Sequence, residues 1–397
     1  DGIRDFCLSR GLGDVYKRQL TSIQEQIAGN EESEPDLNGG IVRLKELLNT
    51  VSEGSLDEAL TLQTLGYAVM SNEEFEPAID YLRRSLETNK LPQNVVFNVG
   101  YIVAQLYAAL GDFTEALSFA GDWFASLENP SADQFMFMGN IYAQEKRYEE
   151  SIGYALEAID ISEKPKENWY QLLTANYFAI EDFQQSARTL RIMIDLWPNE
   201  IMYWEQLASV NMLQGNLENA LASLRVAFEV GLIEKESTIK SLVQLSIRQG
   251  VPENSARILE ESLKNGLVPE EKEYYDLMAH AWREAREYDN AIMAHETSAS
   301  LSKTGEPFVR IADIHMKFNR WSQAEKALKK ALDYELSDKG KAWLLLGITQ
   351  SELLNFDAAR TSLRKARSQK STSKSAQKWL RYSEDMRRQA DWIAENS

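Results

Sequence analysis

The sequence predicts an all-α protein in which helical hairpins stack one after another. The first observation is the run from Trp204 to Ala227, which holds two amphipathic helical patterns separated by Gly215 and Asn216. Side chains spaced three and four residues apart fall on one face of a helix, and glycine permits the tight turn between the two helices. The second observation is that similar pairs recur along the chain. Because one hairpin cannot bury its apolar face alone, such pairs must pack on each other.

The register of the repeat is set by a small residue in the second helix of each pair, which we call the anchor. Successive anchors lie 33 to 38 residues apart, so nine units in one register span about Ala59 to Lys374. A small side chain at this place allows the two helices to approach closely. The nine anchors are Ala78, Ala116, Ser151, Ser186, Ala220, Ser255, Ala291, Ala324 and Ala359.

The units resemble the tetratricopeptide repeat. In the fifth unit Trp204 is followed by Leu207 and Ala208, and the fourth unit closes at Pro198, within the period of about 34 residues that is typical of that repeat. The resemblance implies a right-handed α-solenoid of helix–turn–helix repeats, with the nine-unit array over residues 59–374. It also implies that the protein acts by binding a peptide or a protein.

The resemblance further implies which residues face a partner. In this family the first helix of each unit lines a concave groove, where the second, fifth, ninth and thirteenth residues of the unit are exposed. Amide side chains at such positions bind an extended peptide backbone without requiring charge, although they also suit solvated helix faces. The Lys, Asn and Arg set that clamps a C-terminal carboxylate in some members is not found. The groove positions select Tyr101, Gln105, Asn140, Gln144, Asn168, Gln171, Glu205, Ser209, Lys240, Gln244 and Arg248, and in the seventh unit Asp276, His280 and Glu284.

Residues 1–19 differ from the rest of the chain. They share no period with it and resemble a translated sequencing-adapter segment that precedes unrelated assembled sequences, so we expect them to be foreign. That expectation removes Cys7, the single cysteine, as a functional candidate, and it implies that the native N-terminus is missing. Residues 20–58 are then predicted to form a linker and cap, with helices over Leu20–Gln26 and Ile41–Leu48.

The C-terminal residues 375–397 are predicted to form a capping helix, because a terminal repeat must cover its open apolar face. The region around this helix reverses the charge of the chain, with ten Lys or Arg and two acidic residues between Arg360 and Arg388. It is either a solvated cap face or a docking patch for an acidic partner or a membrane surface. The candidate patch residues are Arg360, Arg364, Lys365, Arg367, Lys378 and Arg381.

Motifs and composition argue against catalysis. The three histidines, His280, His295 and His315, have no metal-binding spacing around them, and no phosphate loop or nucleophile motif occurs. We therefore expect a protein that is not an enzyme and has no cofactor or metal. A net charge of −18 disfavours nucleic acid as a partner, and no run of 18 apolar residues would span a membrane.

Several short segments of the sequence resemble a proteobacterial subgroup of this family that is assigned to the TonB system. That resemblance implies a periplasmic scaffold that works with TonB, ExbB and ExbD, which couple the proton gradient to uptake of iron complexes across the outer membrane. The alternative is a cytoplasmic assembly or chaperone-like adaptor, since the fold is shared by many functions. The segments are Lys166–Tyr170, Gly250–Pro252 with Ala256–Glu260, Ala342–Gly347 and Ala376–Tyr382.

Overall fold

The computed structural model describes residues 14–29 and 34–396 and divides the chain into two compact units, the first ending at Met193 and the second beginning at Ile194. Within the described residues the secondary structure is almost entirely helical, with one isolated parallel bridge between Thr304 and Glu335. The predicted fold class, all-α with paired helices and a long C-terminal helix, is confirmed. None of the helices in these ranges combines the length and the apolar character that crossing a bilayer requires.

The first unit begins with two helices that precede the repeats, α1 (Asp14–Ala28) and α2 (Leu37–Leu48). Four hairpins follow, and the last helix of the fourth runs three residues past Met193. They are α3 (Leu56–Ser71) with α4 (Phe75–Glu87), α5 (Gln93–Leu110) with α6 (Phe113–Ala125), α7 (Ala132–Gln144) with α8 (Tyr148–Ile161), and α9 (Glu167–Ala179) with α10 (Phe183–Leu196).

The second unit holds five hairpins and the final helix α21 (Ser373–Asn396), which packs on the two helices of the last hairpin. The hairpins are α11 (Ile201–Leu213) with α12 (Leu217–Glu229), α13 (Glu236–Arg248) with α14 (Pro252–Lys264), α15 (Lys272–Glu284) with α16 (Tyr288–Ser302), α17 (Glu306–Lys317) with α18 (Trp321–Leu332), and α19 (Lys339–Glu352) with α20 (Phe356–Arg367).

The anchors lie where the two helices of each hairpin meet. All nine have a relative exposure of 0%, so even one added methylene at these places would have to displace a neighbouring helix. Where the anchor is serine, its hydroxyl must find an acceptor on the facing helix. Ser151 Oγ donates to the Gly139 carbonyl at 2.6 Å, and Ser255 Oγ donates to the Val243 carbonyl at 3.0 Å. Ser186 Oγ has no partner among the described residues.

The turn between the two helices of each hairpin has a constant geometry. The residue five places before the anchor has a positive φ in every hairpin, and only three of the nine are glycine. The next residue's N–H donates to the carbonyl five residues earlier, as from Asn216 to Asn211 at 2.8 Å, which is the bond that closes a Schellman motif. The residues with positive φ are Glu73, Gly111, Lys146, Glu181, Gly215, Gly250, Arg286, Asn319 and Leu354.

Helix α1 extends the predicted Leu20–Gln26 helix in both directions and begins inside the segment interpreted as foreign. Tyr16 is buried against α3, where its hydroxyl donates to the Asp57 carbonyl at 2.8 Å and lies 2.7 Å from Thr61 Oγ1. Residues 1–13, including Cys7, lie outside the described residues. The foreign origin of residues 1–19 stays a prediction.

The positive φ values predict a stabilising substitution. Leu354 has a φ of 60° and a side chain that is 60% exposed, so it bears left-handed strain without compensating burial. We expect Leu354→Gly to raise the free energy of unfolding by about 1 kcal/mol, because glycine removes that strain. Denaturant titration measures the change. The control Lys326→Gly, an exposed position inside helix α18, should lower stability by about 0.5–1 kcal/mol; a loss of stability in both variants would contradict the prediction.

Candidate functional site

The first helices of the hairpins hold the predicted groove residues in short rows. Residues four apart share a face, so α5 presents Tyr101 with Gln105, and α7 presents Asn140 with Gln144. In the second unit α13 presents Lys240, and one and two turns later Gln244 and Arg248. The anchor fixes each helix in its hairpin, so equivalent positions recur on equivalent faces. The residues that the structure exposes to solvent are Gln105, Asn140, Gln144, Asn168, Gln171, Ser209, Gln244 and Arg248.

Residues at the fifth position of a repeat behave differently. In three hairpins of the second compact unit they contact the first helix of the next hairpin. Glu205, which is 25% exposed on its side chain, accepts a hydrogen bond from Thr238 Oγ1 at 2.5 Å and lies 3.5 Å from Lys235 Nζ. Lys240 Nζ lies 3.2 Å from Glu273 of α15, and 5.1 Å from the ring centre of Tyr274. These side chains therefore join neighbouring hairpins and are only partly available to a ligand.

Lys240 is the centre of a small polar network. Its ammonium lies 3.0 Å from Glu236 Oε1, and the Tyr274 hydroxyl donates to the same carboxylate. The hydrogen bond to Glu236 raises the pKa of Lys240, while the hydrogen bond from Tyr274 lowers the pKa of Glu236. Both groups are accessible to solvent, so the network orients the lysine more than it stabilises the fold.

Tyr101 is the residue at the fifth position of the second repeat, in the first of the two compact units. Its ring stacks on Trp123 with a centroid distance of 3.8 Å and meets the edge of Phe137, in the next hairpin, at 5.1 Å. Desolvation in this aromatic cluster raises the pKa of Tyr101, with Asp133 adding to the effect. Tyr101 is therefore mainly part of the packing between hairpins, although it was predicted as a groove residue.

The seventh hairpin contains a charged cluster around Asp276. Ser298 Oγ donates to Asp276 Oδ1 at 2.7 Å, Lys272 donates to the other oxygen, and Arg310 Nη1 of α17 lies 3.8 Å away. Burial raises the pKa of Asp276, but the hydrogen bonds from Lys272 and Ser298 outweigh it and hold the pKa below its ordinary value. The groove positions implied by the family resemblance included Asp276, but they gave no indication that Arg310 joins it.

His295 lies beside this cluster and is 2% exposed. Its Nδ1 lies 3.9 Å from Asp276 Oδ1, beyond hydrogen-bond distance, and has no partner among the described residues. Burial lowers the pKa of His295 to about 4; Arg310 contributes in the same direction, and Asp276 opposes them. His280 is exposed and His315 partly buried, so of the three histidines only His295 belongs to the core.

Asp313 occupies the ninth position of the eighth unit and was not among the predicted residues. It is open to solvent, yet desolvation by the surrounding protein raises its pKa, against the opposing effect of Lys341 and Arg283. The repeat register could have identified Asp313 as a groove residue, because Gln244, His280 and Asp313 occupy the ninth position of three successive repeats.

The predicted basic patch lies on α20 and α21. Arg360 is paired with Glu384 at 2.6 Å, which links the two helices, and Lys365 Nζ lies 4.0 Å from the ring centre of Trp343. The other four predicted residues, Arg364, Arg367, Lys378 and Arg381, are exposed. In the ranges that the structure describes, no three His, Cys, Asp or Glu side chains gather closely enough to hold a metal ion.

These features define a class, the helical-repeat proteins whose successive hairpins present side chains in rows. Two family models, each described as tetratricopeptide repeat, match the chain over residues 135–165 and 309–376. These two stretches of the chain match tetratricopeptide repeats. A search of curated proteins gave no match.

Solved structures of the same repeat class are similar to parts of the chain. A tetratricopeptide repeat protein from Parabacteroides merdae is 16% identical, with 68% of this chain and 99% of that chain covered and a TM-score of 0.38. YrrB, described as having an unusual peptide-binding site, is 13% identical over 47% of this chain and 92% of its own, with a TM-score of 0.38. Part of a repeat protein from Cytophaga hutchinsonii is 14% identical over 70% and 96%, with a TM-score of 0.37.

The pKa of His295 predicts an acid-sensitive core. In the unfolded chain this histidine takes up a proton near pH 6.5, whereas in the folded protein it does so only near pH 4. The unfolded state therefore binds more protons as the pH falls below 6.5, and the folded protein loses about 3 kcal/mol of stability by pH 4. We expect His295→Leu to remove this part of the pH dependence.

Urea titrations between pH 7 and pH 4 test the prediction, since other groups contribute equally to both proteins. The matched control is His280→Leu, which changes an exposed histidine of the same hairpin and should keep the wild-type slope of stability against pH. Parallel curves for wild type and His295→Leu over this range would show that the prediction is wrong.

Proposed function

We propose that this protein is a non-catalytic scaffold that binds an extended segment of a partner protein along the first helices of its hairpins. The observation that carries the proposal is the repeated exposure of polar side chains at the ninth and thirteenth positions, among them Gln105, Asn140, Gln144 and Gln244. Amides both donate and accept, so a row of them matches the alternating N–H and C=O groups of an extended backbone. Each hairpin adds one or two such contacts, and affinity accumulates along the row.

We further propose that the partner belongs to the TonB system and that the protein works in the periplasm beside TonB, ExbB and ExbD. The support for this is the amino-acid sequence of the four segments that resemble the TonB-associated subgroup, such as Lys166–Tyr170 and Ala342–Gly347. Trp169 and Leu346 of these segments are buried, so they serve the core and do not touch a partner. The partner must therefore be recognised through exposed residues outside them, and capture experiments are the appropriate test.

The groove is tested within the first compact unit by substituting two exposed amides of neighbouring hairpins, Gln105→Ala and Asn140→Ala, in one chain. Losing about two hydrogen bonds, each contributing about 1 kcal/mol, should weaken partner binding by about tenfold or more. The control is Gln184→Ala with Gln185→Ala, which removes two amides from the second helix α10 and should bind as wild type. The partner captured by the wild-type chain from envelope extract serves as the ligand. Equal affinity of both double variants would contradict the groove assignment.

The same capture, with proteins identified by mass spectrometry, tests the finer proposal. Recovery of TonB, ExbB or ExbD with the wild-type chain, and their loss with the Gln105→Ala, Asn140→Ala variant, is the expected result. Recovery of cytoplasmic clients alone from whole-cell extract would favour the cytoplasmic adaptor. In that case the groove proposal stands if the same variant loses those clients.

A further inference from the structure

The C-terminal end of the second unit carries cations that the fold does not neutralise. Both acidic residues between Arg360 and Arg388 are already engaged: Glu384 with Arg360 at 2.6 Å, and Asp385 with Arg388 at 2.7 Å. Arg387 lies 3.6 Å from Asp357 and 3.7 Å from Asp391. The remaining cations have no counter-ion inside the segment, and we call six of them the basic surface. They are Arg364, Arg367, Lys370, Lys374, Lys378 and Arg381.

All six residues of the basic surface are exposed, and within residues 14–29 and 34–396 none has an acidic group within 4.0 Å. Elsewhere in the described chain exposed cations often have such a partner one helical turn away, as Arg225 has in Glu229 at 2.9 Å. Like charges placed a turn apart destabilise a helix by a few tenths of a kcal/mol per pair. Repulsion among these cations therefore lowers the stability of the fold slightly, and a bound anionic ligand would remove that repulsion.

Within each of the two helices the cations share a face. Lys374, Lys378 and Arg381 follow the spacing of four and three that places side chains together on α21, and Arg364 and Arg367 do the same on the last turn of α20. Lys370 lies in the turn between the helices, which pack on each other and are linked by the Arg360–Glu384 pair.

An aromatic side chain accompanies the basic surface. Tyr382 is 51% exposed and lies one turn from Lys378 on α21, and Trp379 meets its ring edge-on at a centroid distance of 5.2 Å. An exposed aromatic beside cations suits a ligand that has both carboxylates and an apolar side chain, because the ring contacts the apolar part while the cations pair with the carboxylates.

We propose that the basic surface docks a short acidic segment of a partner polypeptide, separately from the groove on the first helices. The segment from Arg360 to Arg388 carries +8, so the remainder of the chain carries −26. The net negative charge of the whole chain disfavours a long polyanion such as a nucleic acid or an anionic bilayer. A short acidic peptide carries few charges and can pair them with the six cations of the basic surface.

The proposal gives the scaffold two ligand sites with different chemistry. The groove residues are mainly amides on first helices, whereas the basic surface lies on α20 and on α21, outside the first helices. Binding at the basic surface should fall steeply with salt, and binding through amides should not. The experiment below uses a synthetic acidic peptide, so its result does not depend on whether the groove proposal holds.

The test is the fluorescence anisotropy of a labelled decapeptide rich in Asp and Glu and containing one Leu, titrated with the full chain. Arg364→Ala with Lys378→Ala should weaken binding about tenfold at about 150 mM salt. The matched control is Arg188→Ala with Arg191→Ala, which lowers the net charge by the same two units on α10 and should change binding less than twofold. Arg364→Lys with Lys378→Arg keeps the charges and should bind as wild type.

Three results would overturn the proposal. The first is equal weakening in the two alanine variants, which would assign the effect to net charge alone. The second is no binding of the peptide by wild type even at about 20 mM salt, where screening is weak. The third is tighter binding of phosphatidylserine vesicles or duplex DNA than of the peptide, which would identify another class of ligand. Far-ultraviolet circular dichroism confirms that each variant keeps its helices.

Discussion

The close contact between the two helices of a hairpin, at a fully buried anchor, is the constraint on which the rest of this protein depends. The anchor leaves no space for a larger side chain, and the left-handed residue five places earlier fixes how the second helix leaves the first. Together they give every hairpin the same phase between its helices. Equivalent residues of different hairpins therefore fall on equivalent faces, which is why single side chains become rows.

The rows do not have equal roles. Residues at the fifth position turn toward the following hairpin, as Glu205 does to Thr238 and Lys240 does to Glu273. Residues at the ninth and thirteenth positions remain open to solvent, as Gln244 and Arg248 do. The recognition that we propose therefore uses positions that the packing leaves open. The acidic character of most of the chain leaves the α20–α21 surface as a separate, oppositely charged region.

The period of small residues was sufficient to predict the hairpins, because burial of the anchor is a requirement that the sequence records directly. All nine anchors and the C-terminal helix were predicted, but the turns were not, since Gly215 suggested glycine where six hairpins use another residue. Backbone hydrogen bonds hold that turn, and they leave little trace in side-chain identity. The part of α1 that precedes Leu20 was also missed, because residues 1–19 were interpreted as foreign. The contact of Tyr16 with Thr61, far away in sequence, leaves no local pattern.

The site was predictable only in part, for a similar reason. The groove positions implied by the family resemblance included Asp276 and Lys240, yet their partners Arg310 and Glu273 come from the next hairpin. A pattern within one helix shows which face a residue occupies, but the neighbour that it meets depends on packing between hairpins. The burial of His295 depends on the same packing, and its spacing alone could not distinguish it from the exposed His280.

The bridges at the fifth position have a mechanical consequence. Lys240 and Glu205 each make a polar contact with the next hairpin, to Glu273 and to Lys235, at the edge of the surface that a ligand would occupy. A ligand carboxylate that draws Lys240 away from Glu273 would loosen the joint between α13 and α15, and a ligand that spans both helices would tighten it. Ligand binding would then change the stiffness of the contact between the two neighbouring hairpins, even if their positions did not change.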